Sequence, residues 1–390
     1  MIRTFVTVML KEIVDNLRDR RTLLTVLVFG PLFGPVFYTA MMNTVINKRV
    51  ADLDQPLQLP VAGTQFAPDL IHYLRAHNTV IQAAPPDPRD AVRTGRKNVV
   101  LVIGKRYADA VRAGKPAPVE LVMDRSRDAA AKDVDRARDL LQEYSRAIAN
   151  LRLLARGVDP RVVTPVVIED ADVSTPRSRA ALILGMVPYF FLFAAILGAF
   201  YLAIDTTAGE RERGSLEPLL GTAAPRAMLV AGKISAVAVF SVVSLALDVL
   251  AMYWCQGLIP AAKLNIAAGF TPWSSILSFL VMIPFCAFIA ALLCVVASFT
   301  KSYKEAQTWL SFIMIVPLVP VLATVFNPTE PRLWMMLVPS LSQDLLITAL
   351  IKGEALSGAF VSVSVLSTLA GGAILMWLAV RLYGREKILG

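Results

Sequence analysis

Histidine is nearly absent from this chain: His72 and His77 are the only two among 390 residues. Their five-residue spacing does not put both on one helix face, as an i,i+4 pair would be, so the spacing argues against a metal site. With so little histidine, Ser-His-Asp or Cys-His catalysis has almost no material. Cysteine is as scarce. Cys255, Cys286 and Cys294 all fall in apolar stretches and form no CxxC pair. They read as small buried hydrophobes, and neither a disulfide framework nor a zinc site follows from them. Gly232-Lys233 has Ala227 where a phosphate-binding loop needs glycine, and Ile234 where it needs serine or threonine; the other two Gly-Lys pairs, Gly104-Lys105 and Gly114-Lys115, are followed by Arg106 and Pro116 and fail in the same way. The sequence therefore carries no recognisable nucleotide-hydrolysing motif.

Charge is missing from long runs. Residues 22–47, 180–204, 264–300, 306–329 and 355–380 contain no Asp, Glu, Lys or Arg, and 234–262 contains only Asp248. A helix needs roughly 20 apolar residues to cross about 30 Å of hydrocarbon. Six segments qualify, and each must satisfy its backbone internally as a helix. The expected fold is a polytopic α-helical membrane protein with six transmembrane helices. A hydrophobic content of 56% agrees, because a soluble chain would expose too much apolar surface. The net charge of +9 then reads as basic flanks meeting anionic lipid, not as a nucleic-acid surface. The first apolar run is too long for a signal peptide and no A-x-A-like cleavage site follows it.

Basic residues in the short loops set the orientation. Arg3, Lys11, Arg18, Arg20 and Arg21 precede the first span; Arg211, Arg213 and Arg226 lie between the second and third; Lys301 and Lys304 between the fourth and fifth; Arg381, Arg385 and Lys387 follow the sixth. The opposite loops hold Lys263, Arg332 and Lys352. The positive-inside rule places both termini in the cytoplasm. Residues 48–178 then form an extracytoplasmic domain between spans one and two.

That segment is charged throughout. Short β-like runs at 59–61, 80–82, 99–103, 119–122 and 162–168 alternate with helical patterns at 68–77, 88–94 and 106–112, a rhythm that predicts an α/β domain. A longer helix is expected over 128–156, closed by Gly157. Val134, Ala137, Leu141, Tyr144, Ile148, Leu151 and Ala155 form a heptad-like seam along it. The seam either packs on the domain's own sheet or meets a second copy or accessory protein. Residues 1–21 read as an amphipathic cytoplasmic helix, with Ile2, Phe5, Val6, Met9, Ile13 and Leu17 at spacings of three and four. It either lies on the inner membrane face or simply extends the first span. Pro284 is expected to kink span four, and Pro317 and Pro320 span five. Segment 332–354 is too short to span and too apolar for an ordinary loop, so a re-entrant or interfacial hairpin on the outer side is expected.

The loop at 205–226 carries the functional signal. Span two is expected to run on to Arg213, stop at Gly214, and restart as a short helix capped by Ser215, with Pro218 in its first turn. Leu216, Leu219 and Leu220 then share an apolar face: a stiff charged elbow with a hydrophobic knob suited to a groove in a cytosolic partner. The run Gly209-Glu-Arg-Glu-Arg-Gly-Ser-Leu-Glu-Pro-Leu-Leu220, with Pro225-Arg226 and Gly232-Lys233 after it, resembles the coupling-helix region of ABC-2 type exporter permeases. More narrowly it resembles their NatB-like, sodium-efflux branch. Residues 299–307 and 338–343 agree, as does the layout of one helix, a large external domain and five further helices.

The resemblance implies a permease subunit of an ATP-driven exporter in a bacterial cytoplasmic membrane. It implies a second permease copy and a separate NatA-like ATPase that carries the ATP and magnesium, with no cofactor on this chain. Glu210, Arg211, Glu212, Arg213, Gly214, Ser215, Leu216, Glu217, Leu219 and Leu220 would couple the two proteins. For cargo, Asp248 is the only acid deep in an expected span, and suits cation or proton handling; its alternatives are a snorkelling or structurally paired acid. Asp205 and Asp344 are pathway candidates or boundary and capping residues. Ser311 and Gln343 complete the candidate pathway. Sodium leads as cargo, although no carboxylate cage is visible; drugs, peptides or lipids are the alternative. From other classes, a membrane sensor would need a cytosolic signalling domain, and a channel or secondary carrier several intramembrane charges or an inverted repeat.

Overall fold

A computed structural model describes residues 2–124, 126–163, 184–260, 270–326 and 330–383, together with 171, 175 and 179. The chain divides into two compact units, residues 1–48 with 173–390, and residues 49–172.

The helical unit opens with α1 (Ile2–Arg18). A π-helical turn, Leu24–Phe29, leads into α2 (Gly30–Asp54), which continues through Pro35. Six helices among the described residues are long and apolar enough to cross a membrane: Leu24–Lys48, Val187–Glu212, Arg226–Leu258, Pro272–Ser298, Tyr303–Leu322 and Gly358–Tyr383. The third differs from the uncharged run that predicted it. Its helix starts at Arg226, so Lys233, just before that run, lies inside the helix. Proline acts according to position. The fourth helix passes unbroken through Pro284. The fifth breaks at a 3-10 turn, Val316–Leu318, around Pro317, and resumes over Val319–Phe326 with Pro320 in its first turn. The last residues assigned to that span, 327–329, lie outside the described residues, as do 180–183 of the second.

The segment expected as a hairpin folds as a 3-10 turn, Leu333–Leu337, followed by a 12-residue helix, Leu341–Lys352, with most of its side chains buried.

The second unit is built on a four-stranded sheet. β1 (Leu57–Ala62), β2 (Thr79–Ala83), β3 (Val99–Ile103) and β4 (Val119–Met123) lie in the order β2-β1-β3-β4. β1 runs parallel to β2 and β3, while β4 is antiparallel to β3. The crossover from β1 to β2 is α3 (Pro68–Ala76); α4 (Pro88–Arg93) and α5 (Arg106–Arg112) join the later strands, and α6 (Asp128–Ala155) follows β4. Leu57, Leu59, Val61, Leu101 and Ile103 pack with Leu70 and Leu74 of α3 and with Val134 and Ala137 of α6. The heptad-like seam therefore divides. Its first half, as far as Tyr144, serves this unit's own core; Leu151 and Ala155 beyond it are exposed. The β-like run at 162–168 begins instead in a 3-10 turn, Pro160–Val163, and continues outside the described residues.

Candidate functional site

The helix α7 (Val187–Ile204) runs into a π-helical turn, Asp205–Gly209, and a last turn, Glu210–Glu212. The Gly214 amide donates to Arg211 O at 3.0 Å and the Ser215 amide to Glu210 O at 3.0 Å. This pair of bonds is a Schellman stop, and it requires the left-handed conformation that Gly214 adopts at φ 69°. The Ser215 hydroxyl also donates back to Glu210 O at 3.3 Å, adding to the stop of the first helix. The short helix α8 (Leu216–Leu220) contains Glu217, Leu219 and Leu220. Leu216 is buried at 2% exposure and Leu219 is half-buried. The knob is therefore anchored by Leu216, whose side chain is not offered to a partner.

Each charged residue of the elbow has a separate anchor. Arg211 donates to Ser298 O at 2.9 Å and to Thr300 O, the free carbonyls at the end of α10 (Pro272–Ser298). A cation suits the negative pole of that helix. Glu212 accepts from the Tyr303 amide at 2.6 Å, at the positive start of α11 (Tyr303–Ile313). Arg213 pairs with Asp205 at 2.9 Å across the π-helical turn. Glu210 turns inward to Lys233 of α9 (Arg226–Cys255), with Nζ to Oε1 at 2.6 Å. Lys233 also holds Glu12 of α1 at 2.9 Å.

That ion cluster was missed in the sequence. Lys233, Glu12 and Glu210 are all buried. Lys11 joins from the half-exposed edge, 3.2 Å from Glu12 and 3.8 Å from Glu210. Burial lowers the Lys11 pKa, but the Glu12, Glu210 and Asp15 carboxylates outweigh it and leave the pKa raised. Close packing makes the cluster possible: a Cβ on Gly232 would meet Phe5 O and Val8 Cβ at 3.0 Å. The buried face of α1 is Val8, Glu12 and Asn16, whereas Ile2, Val6, Leu10, Val14 and Leu17 are exposed. A charged residue four places from a buried valine is the only sequence sign of this. It conflicts with the apolar stripe that defined the helix.

The pathway candidates scatter. Asp248 lies on α9 at 1% exposure, and neither carboxylate oxygen has a hydrogen-bond partner among the described residues. In this conformation the carboxylate neither reaches the surface nor pairs with a described residue. Asp205 belongs to the elbow. Ser311 is exposed on α11 and donates to Gln307 O at 2.7 Å within its own helix. Gln343 and Asp344 lie buried on Leu341–Lys352. Gln343 accepts from the Ser340 amide at 2.8 Å and donates to Thr368 at 3.2 Å, on Gly358–Tyr383. Asp344 accepts from Thr324 Oγ1 at 2.9 Å. No hydrogen bond or ion pair among the described residues joins Asp248 or Ser311 to these two.

Small residues bring α7 and α9 together near Asp248. A Cβ on Gly198 would lie 2.6 Å from Ser244 Cβ. At that separation Ser241 and Ser244 donate to Ala195 O at 2.7 Å and Ala194 O at 3.0 Å.

A model of the ABC-2 family transporter protein matches residues 21–381. The ABC transporter permease protein NatB of Bacillus subtilis (strain 168) is 27% identical over 354 residues, 88% of each chain. Glu210 and Lys233 lie within the family match, while Glu12 precedes it. Since that match reaches from before the first membrane-length helix into the last, the chain belongs to the ABC-2 family of transporter proteins.

Proposed function

We propose that this chain is the permease subunit of an ATP-driven exporter, working with a separate NatA-like ATPase and a second copy of itself. Residues 205–226 dock the ATPase and carry its closure into the membrane helices. The observation that carries this reading is the elbow's anchoring: Glu210, Arg211 and Glu212 bind α9, α10 and α11 respectively. A push on α8 therefore moves several helices as a body and is not absorbed in a loop. ATP and magnesium belong to the ATPase, with no cofactor on this chain. The membrane is the bacterial cytoplasmic membrane, with both termini inside and residues 48–178 outside. The exposed apolar face of α1 then rests on inner-leaflet lipid.

Sodium is the leading cargo, on the likeness to a NatB permease and on the unpartnered carboxylate of Asp248. A second reading, export of an amphipathic drug, peptide or lipid, draws on a different observation. A largely apolar cavity of about 230 Å³ lies between α9, α10 and Gly358–Tyr383, lined by Ile234, Pro284, Phe288, Leu369 and Met376.

The test is reconstitution with the cognate ATPase in vesicles loaded with radioactive sodium. Export is expected to require both proteins and ATP, and Leu219→Asp to abolish it while the protein still inserts. Sodium movement by the isolated chain, or full export by Leu219→Asp, refutes the docking role. ATP-dependent export with no sodium flux moves the cargo to the amphipathic class.

A further inference from the structure

The α/β unit holds a cleft that nothing in the transport reading uses. The cleft has about 420 Å³ and lies at the amino-terminal ends of β1 and β3, beside the early turns of α6. We propose that it binds a small anion bearing phosphate or carboxylate groups.

The charge of the lining comes first. Arg96, Lys97, Lys132 and Arg136 line the cleft against one acid, Asp133. The remaining lining residues are neutral, chiefly glutamine, asparagine and proline. Asp133 is itself engaged, accepting from Asn98 Nδ2 at 2.7 Å.

The partners of the cations matter more than their number. Lys97 donates to Gln82 Oε1 at 2.8 Å, and Gln82 donates in turn to Gln58 Oε1 at 2.8 Å. Arg136 donates to the Gln55 carbonyl at 2.8 Å. Neutral acceptors thus fix these two side chains without cancelling their charge. Elsewhere in the unit arginines meet carboxylates: Arg89 pairs with Glu120 at 2.9 Å and Arg93 with Asp90 at 3.0 Å. Arg96, on the rim, also pairs with Asp90. The cleft is therefore a place where preplaced donors keep an excess of positive charge. An anion bridging Lys97 and Arg136 would relieve their repulsion and complete their remaining hydrogen bonds.

Other ligand classes fit less well. The excess of positive charge opposes a metal cation, and the polar lining gives an amphipathic drug little to pack on. Parallel sheets ordinarily bind ligands at their carboxyl ends. Charge and preorganisation, not topology, make the assignment here. It stands independently of the exported cargo.

The test uses the full chain in nanodiscs of phosphatidylcholine, in phosphate-free buffer, titrated calorimetrically with inorganic phosphate and with citrate. At least one of the two anions is expected to bind saturably, and more weakly as salt is raised. The pair Lys97→Gln with Arg136→Gln is expected to weaken binding at least about tenfold, the scale of a lost charged hydrogen bond. Lys97→Arg with Arg136→Lys keeps the charge and is expected to keep most of the binding. Lys105→Gln with Arg112→Gln, outside the lining, leaves it unchanged. Nanodiscs containing phosphatidylglycerol separate the sources. Loss of soluble-anion binding there, reversed in phosphatidylcholine, assigns the site to a lipid headgroup; unchanged binding assigns it to a free anion. Absence of saturable binding by either anion to cooperatively melting protein in phosphatidylcholine overturns the proposal. So does binding that survives the Lys97→Gln and Arg136→Gln pair unaltered.

Discussion

Lys233 Nζ stands 2.6 Å from Glu210 Oε1, so the end of α7 and the first turns of α9 share one buried charge pair. Glu12 completes it from α1 at 2.9 Å. Burying such ions is costly, and deleting one partner leaves the others uncompensated.

Lys233→Met is expected to destabilise the protein by about 3–5 kcal/mol, because Glu12 and Glu210 then face each other with the half-exposed Lys11 as their remaining ion-pair partner among the described residues. Thermal unfolding of the detergent-solubilised chain measures this. The triple change Lys233→Met, Glu12→Gln, Glu210→Gln is expected to recover part of the loss. A triple variant no more stable than Lys233→Met removes the charge explanation.

Gly232→Leu is expected to lift α1 away from α9, since Phe5 O and Val8 already occupy the space beside Cβ. Overpacking of this kind costs about 1–3 kcal/mol. Faster amide exchange across residues 2–18, with the α/β unit unaffected, is the expected readout.

Arg211→Ala strips Ser298 O and Thr300 O of their cation, and Glu212→Gln weakens the cap on the Tyr303 amide. Both are expected to lower the transport obtained per ATP hydrolysed while binding of the ATPase persists. A loss of coupling of at least about tenfold is expected for Arg211→Ala, the scale of a charged hydrogen bond. Equal losses of binding and transport would mean that Arg211 only shapes the docking surface.

Asp248→Asn separates stability from function. Removing a buried carboxylate that has no partner is expected to hold or raise the melting temperature. Sodium export is expected to fall in the same variant. Intact sodium efflux removes Asp248 from the cargo path.

Several features were legible in the sequence because they depend on local chemistry. Gly214 ends a helix wherever its amide and the next can reach carbonyls three and five residues back. The β3 run Val99–Ile103 is a continuous apolar stretch, as a strand buried on both faces requires, and four of its five residues are buried. The apolar stripe of α1 was also visible, but not that the polar positions Glu12 and Asn16, with Val8, form the buried face of that helix. Likewise the exposed knob inferred at Leu216 depended on which side of α8 meets its neighbours, and spacing alone does not record that.

By itself, then, the sequence determined that long uncharged segments must be helices, because a hydrocarbon solvent leaves a backbone no other partner, and that the elbow must stop at Gly214. Only the tertiary structure decided where the charges go. Glu12 and Lys233 are 221 positions apart, and a buried ion is tolerable only where packing brings its counter-ion within reach.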